Sequence, residues 1–255
     1  MAEPLLHVED LVVGYGHTKV LKKVSLTLEK GQALAVLGAN GAGKTTLMAT
    51  IAGLLRQWEG RIELEGQDIS DVPAEDRPAL GIVLAPEGRG IFTTLSIEEN
   101  LLMGASCLRR RFGAAEARQR SSEGLEQVYG MFEVLGRRRK EKAAGLSGGQ
   151  QQMLAIGRAL AASPKVLLMD EPCLGLAPKV GNEVYAALGE LRKAGQSIVV
   201  VEESSRRALE FADRACVIKL GEKMLEDDAA SMKRDDHLLE AYFGLAGPAP
   251  AGTAP

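Results

Sequence analysis

The sequence predicts an α/β fold with a mostly parallel sheet, an N-terminal antiparallel β region and an inserted helical lobe. Apolar strand-like segments alternate with helical patterns after residue 160, which is typical of a buried parallel sheet. Short β-rich pieces separated by glycine-bearing turns fill about the first sixty residues. Between these parts, residues 96–160 carry few strand signals and favour helices.

The elements follow from local patterns in chain order. The predicted strands are residues 5–15, 24–29, 33–37, 60–64, 82–84, 166–169, 198–201 and 216–220. The predicted helices are residues 44–55, 114–135, 150–161 and 179–192, together with a helix that begins after Ser96. Ser96 precedes an apolar run with Glu98 and Glu99 in its first turn, as an N-cap residue does.

We predict one domain over residues 1–245, with the helical lobe at about residues 95–160. A length of 255 residues suits one large domain or a domain with an inserted lobe. The segment 246–255 is rich in Pro, Ala and Gly, and we predict that it is disordered.

Net charge, cysteine content and the lengths of apolar runs indicate which partners and which cellular compartment to expect. The net charge of -3 gives no global reason to expect a nucleic acid, and we predict none. The 3 cysteines form no CxxC pair, which favours a reduced, intracellular compartment. No signal-peptide pattern is evident, and no apolar run approaches the roughly 18–20 residues of a spanning helix. We therefore expect any membrane role to come through a partner.

Residues 38–45 (GANGAGKT) match the pattern of a phosphate-binding loop between a strand and a helix. Glycines let the backbone wrap closely around phosphates and point successive N–H groups inward. Lys44 is expected to reach the β- and γ-phosphates, and the Thr45 hydroxyl to ligate Mg²⁺. The residues expected to bind the nucleotide here are Gly38, Asn40, Gly41, Ala42, Gly43, Lys44, Thr45 and Thr46. The alternative is a chance glycine-rich turn, which the strand–loop–helix context disfavours.

Asp170 and Glu171 follow the apolar strand at residues 166–169. A carboxylate at the carboxyl end of a parallel strand emerges beside the phosphate loop, where Mg²⁺ can use it. Glu171 is predicted to polarise the attacking water as a general base. Alone, this pair could be a solvated strand end; with the phosphate loop it indicates chemistry.

Residues 146–150 (LSGGQ), here the signature segment, complete a set that resembles the ABC ATPase family over residues 15–244. The resemblance implies that this chain hydrolyses ATP, with Tyr15 stacking on adenine. It also implies that Ser147, Gly148, Gly149 and Gln150 face the ATP of a second ATPase subunit, either a homologue or another copy of this chain. An ordinary N-capped helix is the alternative interpretation of this segment.

A narrower resemblance rests on residues 85–92, 151–160 and 174–178. They are similar to the LivF-type ATPases of branched-chain amino-acid importers, and urea and amide importers share much of this pattern. The resemblance implies two membrane permease subunits, a solute-binding protein acting indirectly, and a place on the cytoplasmic face of the cell membrane. The expected function is to power such an importer.

Three positions depart from the family pattern. Glu87 stands where most members have a Mg²⁺-coordinating glutamine, and its carboxylate could still serve as a ligand. Ala177 replaces the usual aspartate of a loop at the dimer interface. Glu203 replaces a histidine that bonds the γ-phosphate, and an anion about 4 Å from that phosphate would cost roughly 4 kcal/mol at an effective dielectric of about 20.

Glu203 is therefore expected to turn away, to be protonated, or to leave its own site slow. These departures favour a heteromeric ATPase with two unequal sites. They also leave open a different class: a nucleotide-sensing subunit with weak hydrolysis that completes its partner's site. A DNA-repair or ribosome-acting ABC protein would require a coiled-coil insertion or a second cassette, and the sequence has neither.

Overall fold

Two sheets and a set of helices make up this computed structural model, which describes residues 4–203 and 205–234. The strands are β1 Leu6–Tyr15, β2 Thr18–Leu28, β3 Ala33–Leu37, β4 Glu59–Leu64, β5 Gln67–Asp68, β6 Ile82–Ala85, β7 Val166–Asp170, β8 Ser197–Glu202, β9 Arg214–Lys219 and β10 Glu222–Asp228. The helices are α1 Lys44–Ile51, α2 Arg77–Leu80, α3 Ile97–Ala105, α4 Leu108–Phe112, α5 Ala114–Met131, α6 Glu133–Arg137, α7 Gly148–Leu160, α8 Pro178–Lys193, α9 Ser205–Phe211 and α10 Ala229–Arg234, with a 3-10 turn at Ala143–Gly145.

The larger sheet has six strands in the order β10-β9-β3-β8-β7-β6. Strands β9, β3, β8, β7 and β6 run parallel, and β10 pairs antiparallel with β9 at one edge. Every residue of β3 and β7 is buried, as expected for parallel strands covered on both faces. The carboxyl ends of β3, β7 and β8 therefore lie next to one another.

The smaller sheet has four strands in the order β2-β1-β4-β5, and its neighbours pair antiparallel. Together the two sheets confirm the predicted α/β class with a mostly parallel sheet and an N-terminal antiparallel region. Strand β2 begins at Thr18, earlier than predicted, because its exposed first residues carry no apolar signal.

Strand β3 contributes to two separate cores. The side chains of Ala33, Ala35 and Leu37 pack in the core that includes the helical segments, whereas Leu34 and Val36 pack in the core shared with the antiparallel sheet and α1. This division follows from the alternation of side chains along a strand. The phosphate loop that follows β3 is therefore anchored from both faces of the sheet.

Helices α3 to α7 make up most of the chain from Ile97 to Leu160, in agreement with the predicted helical lobe. The capping box at Ser96 is present, since its hydroxyl accepts from the Glu99 N–H and the Glu99 carboxylate accepts from the Ser96 N–H. The single helix predicted at residues 114–135 is wrong, because the chain leaves helical geometry at Phe132 (φ -125, ψ 74). Phe132 is 4% exposed, so the break places its ring in the core.

Further differences have local causes. Helix α1 ends at Ile51 rather than residue 55, because Gly53 adopts a left-handed φ of 78 beyond its end. Strand β10 was not predicted because its sequence, EKMLEDD, is highly charged, and it lies at the sheet edge. Helices α2, α9 and α10 were also missed, since each is too short to show a periodic apolar pattern.

Within the described residues, no helix is both long and apolar enough to cross a membrane. The segment 246–255, predicted to be disordered, lies outside the described residues.

Candidate functional site

The phosphate loop begins where β3 ends and leads directly into α1. Gly41 and Gly43 have φ values of 79 and 106, a region that residues with a Cβ rarely adopt. A Cβ on Gly38 would lie 2.4 Å from the carbonyl oxygen of Ile218 in β9, so the loop passes too close to that strand for any side chain. The glycines thus shape a backbone concavity at the N-terminus of α1, where anions bind favourably.

Lys44, the first residue of α1, lies across this loop. Its Nζ donates to the carbonyl oxygens of Gly38 at 2.8 Å and Ala39 at 3.3 Å. The same Nζ lies 3.1 Å from Oε1 of Glu171, and both side chains are buried. A buried ion pair therefore connects the phosphate loop to the residue that follows β7.

Asp170 and Thr45 are brought together as the sequence predicted. The Thr45 hydroxyl donates to Oδ1 of Asp170 at 3.3 Å, and Asp170 is 3% exposed. Burial raises the pKa of Asp170 to about 6, and the nearby charges of Glu87 and Glu171 raise it further, against the Thr45 hydrogen bond and Lys44. This pair offers hard oxygen donors in a site where negative charge already accumulates.

The backbone at Glu171 is unusual. Glu171 has a left-handed φ of 48, and its N–H donates to the carbonyl oxygen of Val201 at 3.0 Å. A non-glycine residue at positive φ is strained and persists only where its surroundings hold it. Strand β8 therefore fixes the turn that aims the Glu171 carboxylate at Lys44.

A cavity of about 390 Å³ opens over the loop. It is lined by Tyr15, Val20, Asn40, Gly41, Gly43, Lys44, Thr45, Thr46, Glu87, Glu171 and Leu174. Most of the residues predicted for the chain's own nucleotide site thus share one cavity, although they come from four separate parts of the sequence. Tyr15 is 55% exposed, so its ring is open to stacking. Val20 and Leu174 were not predicted, because an apolar residue in a strand or loop gives no functional signal.

Ala42 and Gly38 do not line this cavity. Ala42 is 5% exposed, and its N–H donates to the Ala39 carbonyl oxygen within the loop. Their position is structural, since they let the loop close against β9.

Glu203 lies just beyond β8, and its carboxylate accepts a hydrogen bond from the Asn40 side chain at 3.1 Å. Asn40 lines the cavity, so the exposed Glu203 carboxylate lies beside the phosphate loop. A negative charge thus stands next to the place where phosphates are expected.

The signature segment forms the N-terminus of α7. The Ser147 hydroxyl accepts from the Gln150 N–H, and the Gln150 side-chain oxygen accepts from the Ser147 N–H at 3.1 Å, which makes a capping box. Arg138 also donates to Gln150, at 3.0 Å. None of the four residues from Ser147 to Gln150 lines the cavity over the phosphate loop. These four residues therefore lie on a different part of the chain's surface from the nucleotide cavity.

Two glycines let neighbouring groups pack closely against this helix N-terminus. A Cβ on Gly149 would lie 2.5 Å from Cγ1 of Val180 in α8, and one on Gly148 would lie 3.1 Å from the Arg89 guanidinium.

Ala177 forms the N-cap of α8 without a side-chain hydrogen bond, as expected when alanine replaces an aspartate there.

Sequence reasoning missed a buried carboxyl group behind the site. Glu202, the last residue of β8, is 6% exposed, and the Tyr185 hydroxyl donates to its Oε1 at 3.0 Å. Burial raises the pKa of Glu202 to about 7, and the Glu171 charge raises it further, while the Tyr185 hydrogen bond opposes this. An acid that ends an apolar strand was the available signal, and it was interpreted as part of the strand.

Strand β3, the glycine-rich loop and helix α1 bring Lys44 and Thr45 into one cavity with the acids Glu87 and Glu171. This geometry defines a P-loop nucleotide-binding site. The family model of the ABC transporter matches residues 21–174, more than half of the chain. The high-affinity branched-chain amino acid transport ATP-binding protein BraG of Pseudomonas aeruginosa is 36% identical over 240 residues, which cover 94% of this chain and 100% of BraG. The chain belongs to the ABC transporter family, and as such it is a transporter's ATP-binding subunit with ATPase activity coupled to transport.

Other proteins and solved structures also match over most of this chain. The lipopolysaccharide export system ATP-binding protein LptB of Haemophilus influenzae is 31% identical and covers 94% of this chain and 97% of its own length. A crystal structure of a nucleotide-free ATP-binding cassette superimposes with a TM-score of 0.80 at 28% identity, over 95% of this chain and 100% of that one. A dimeric post-hydrolysis cassette bound to ADP and Pi matches with a TM-score of 0.74 at 27% identity, over 88% and 98%.

Proposed function

We propose that this chain powers an importer of branched-chain amino acids. The observation that carries the proposal is the similarity to BraG, 36% identity over the whole of that protein. Residues 1–245 form one nucleotide-binding domain in this proposal, with the helical lobe at about residues 95–160. A urea, amide or other solute importer is the nearest alternative, and the similarity to LptB adds a lipopolysaccharide exporter.

The donor set fits Mg²⁺. Thr45 and Asp170 supply a hydroxyl and a carboxylate 3.3 Å apart, and Glu87 lines the same cavity. Mg²⁺ usually keeps several waters and binds one or two carboxylates plus phosphates, so these few donors are enough for it. When bound, it neutralises phosphate charge.

We infer a separate role in ATP binding or hydrolysis for each residue of the chain's own site. Tyr15 stacks on adenine, the loop N–H groups bind the phosphates, and Thr46 and Asn40 border them. Lys44 turns from Glu171 toward the β- and γ-phosphates, which leaves the Glu171 carboxylate without its cation. Glu171 is thereby freed to orient and deprotonate the attacking water. The ion pair at 3.1 Å supports this exchange of partners.

The signature segment acts on a second subunit. Ser147, Gly148, Gly149 and Gln150 lie at a helix N-terminus outside the chain's own cavity, which suits donors for an ATP held by a homologous ATPase or a second copy. ATP binding closes this dimer and hydrolysis reopens it, moving two permease subunits between access states. The permeases place the chain at the cytoplasmic face of the membrane, and a solute-binding protein delivers the cargo. Nucleic acid has no part in the proposal.

The test is ATP turnover by the complete transporter in liposomes. We expect turnover to rise with binding protein loaded with leucine, isoleucine or valine, and not with urea or an amide. If urea-loaded binding protein alone raised ATP turnover, the proposal of a branched-chain amino-acid substrate would be wrong and urea would take its place. Glu171→Gln should abolish turnover at this chain's site, and an exposed control, Glu190→Gln, should leave it intact.

A nucleotide-sensing subunit with weak hydrolysis is the second candidate. The contact between Asn40 and Glu203 favours it, because a carboxylate stands where the family places a γ-phosphate-binding group. Unchanged turnover in Glu171→Gln, combined with a loss in Ser147→Ala, would select this role over hydrolysis.

A further inference from the structure

A strained turn follows Glu87. The Gly90 N–H donates to the carbonyl oxygen of Gly88 at 2.8 Å, and Arg89 between them has a φ of 69. This is a γ-turn with a positive central φ, the rarer and more strained of the two γ-turn forms. Such strain in a residue with a Cβ persists only when neighbouring groups hold it, and it concentrates at active sites and switch regions.

Helix α7 holds this turn through the Arg89 side chain. The Nη1 of Arg89 donates to the side-chain oxygen of Gln151 at 3.0 Å. A Cβ on Gly148 would lie 3.1 Å from Nη2 and 3.3 Å from Nη1 of Arg89, so the guanidinium packs directly against the first turn of α7. The contact therefore reaches the residues that belong to the signature segment.

The same helix holds the turn a second time. Arg158 donates from Nη1 to the carbonyl oxygen of Gly90 at 2.6 Å and from Nη2 to that of Arg89 at 3.4 Å. Gln151 and Arg158 are seven residues apart, which places them on one face of α7. The turn is thus fixed to α7 at two points along that face.

Electrostatics make the position of Arg89 informative. A cation at a helix N-terminus adds to the positive end of the helix dipole, which is unfavourable by itself. In the described part of the chain, the recorded polar partner of Arg89 is the neutral amide of Gln151. The guanidinium therefore raises the positive potential at the N-terminus of α7, where Ser147 and Gly149 are proposed to meet a phosphate.

We propose that Arg89 is a positioning residue that couples this chain's own nucleotide site to the signature segment it presents to its partner. Glu87 lines the chain's own cavity, and the turn two residues later is fixed to α7. A nucleotide that moves Glu87 thereby moves Ser147 and Gly149 relative to the partner's ATP. The inference rests on the proposed role of the signature segment in a dimer.

The experiment uses the assembled transporter with four variants of this chain: Arg89→Ala, Arg89→Lys, Gln151→Ala and the Arg89→Ala/Gln151→Ala double variant. We expect Arg89→Ala and Gln151→Ala each to lower kcat about tenfold, the effect of losing one charge-assisted hydrogen bond. The double variant should be no slower than Arg89→Ala alone, since Gln151→Ala removes only the contact that Arg89→Ala already removes. Arg89→Lys should recover part of the rate, because it keeps the charge.

Two further measurements separate positioning from folding. Binding of ATP by the free chain should be unchanged in Arg89→Ala, because the chain's own loop is intact. The matched control is Arg137→Ala, which removes an exposed arginine bonded to Glu133 in the same lobe. If Arg89→Ala turns over ATP as fast as Arg137→Ala, or if the two single effects add in the double variant, the inference is wrong.

Ser147→Ala distinguishes this failure from failure of the proposed function. A large loss in Ser147→Ala with none in Arg89→Ala rejects only the coupling role of Arg89. Unchanged turnover in Ser147→Ala rejects the role of the signature segment in the partner's site, and the coupling role is rejected with it.

Discussion

The Nζ of Lys44 lies 3.1 Å from Oε1 of Glu171, and this buried pair joins the phosphate loop to the strand that carries the predicted base. Removing one member of a buried pair leaves the other charge uncompensated, which costs more than the pair itself contributes. We therefore expect ATP binding and the stability of the fold both to depend on the Lys44–Glu171 pair.

We expect Lys44→Ala to abolish measurable ATP binding and to lower the free energy of unfolding by about 3 kcal/mol, because Glu171 stays buried without its cation. Adding Glu171→Gln should recover most of the stability but none of the binding. Denaturant unfolding and nucleotide titration measure the two effects. A double variant as unstable as Lys44→Ala would show that the pair is not the cause.

Glu202 should make stability depend on pH. Its pKa is raised from 4.5 to about 7, so the folded state binds the proton more tightly than the unfolded chain does. The associated stability is fully present below pH 4.5 and is lost as the pH rises through about 7, by about 3 kcal/mol in total.

Glu202→Gln should flatten this part of the stability profile, measured by urea unfolding between pH 4.5 and 8. Tyr185→Phe should move it to higher pH, since the tyrosine hydrogen bond lowers the pKa of Glu202. The control Glu190→Gln changes an exposed acid and should leave the profile in place. Equal slopes for Glu202→Gln and the unmodified chain would contradict the assignment.

Gly149→Ala should destabilise the chain by about 2 kcal/mol, because its Cβ would lie 2.5 Å from Cγ1 of Val180. Val180→Ala in the same chain should restore part of the loss. Gly148→Ala is the matched control, since its Cβ meets the movable end of Arg89 at 3.1 Å. Thermal unfolding of the three variants and the unmodified chain measures these losses, and equal losses for the two glycines would refute the steric cause.

Glu203→Gln should bind ATP several-fold more tightly, because it removes a negative charge beside the phosphate loop. Asn40→Ala should not give the same gain, since it removes the hydrogen bond to Glu203 but leaves the negative charge in place. Fluorescent-nucleotide titration at low and high salt measures both. The gain in Glu203→Gln should shrink at high salt, and no gain at low salt would exclude repulsion.

The parts that sequence predicted well depend on local patterns. The apolar run before Gly38 and the one before Asp170 located two parallel strands, β3 and β7, which flank β8 in the same sheet, and their carboxyl ends placed Lys44, Thr45 and Glu171 in one cavity. The N-cap at Ser96 was also predicted, and the structure adds the reciprocal hydrogen bond to Glu99, three residues along the chain.

The parts that sequence did not predict depend on contacts between distant segments or on backbone strain. Arg89 and Gln151 are 62 positions apart, and Tyr185 and Glu202 belong to a helix and a strand that meet only after folding. The left-handed φ of Glu171 has no signature in residue type, because its cause is the carbonyl group of Val201.

The capping box at Ser147 restricts which residue can stand there for a reason beyond helix stability. Serine, threonine, asparagine and aspartate all cap helices well. Aspartate would accept the Gln150 N–H as serine does, yet it has no proton to give and would repel a phosphate. A hydroxyl accepts from its own helix and still donates to an incoming oxygen. Selection for a stable α7 alone would permit aspartate, whereas selection for the proposed dimer would remove it.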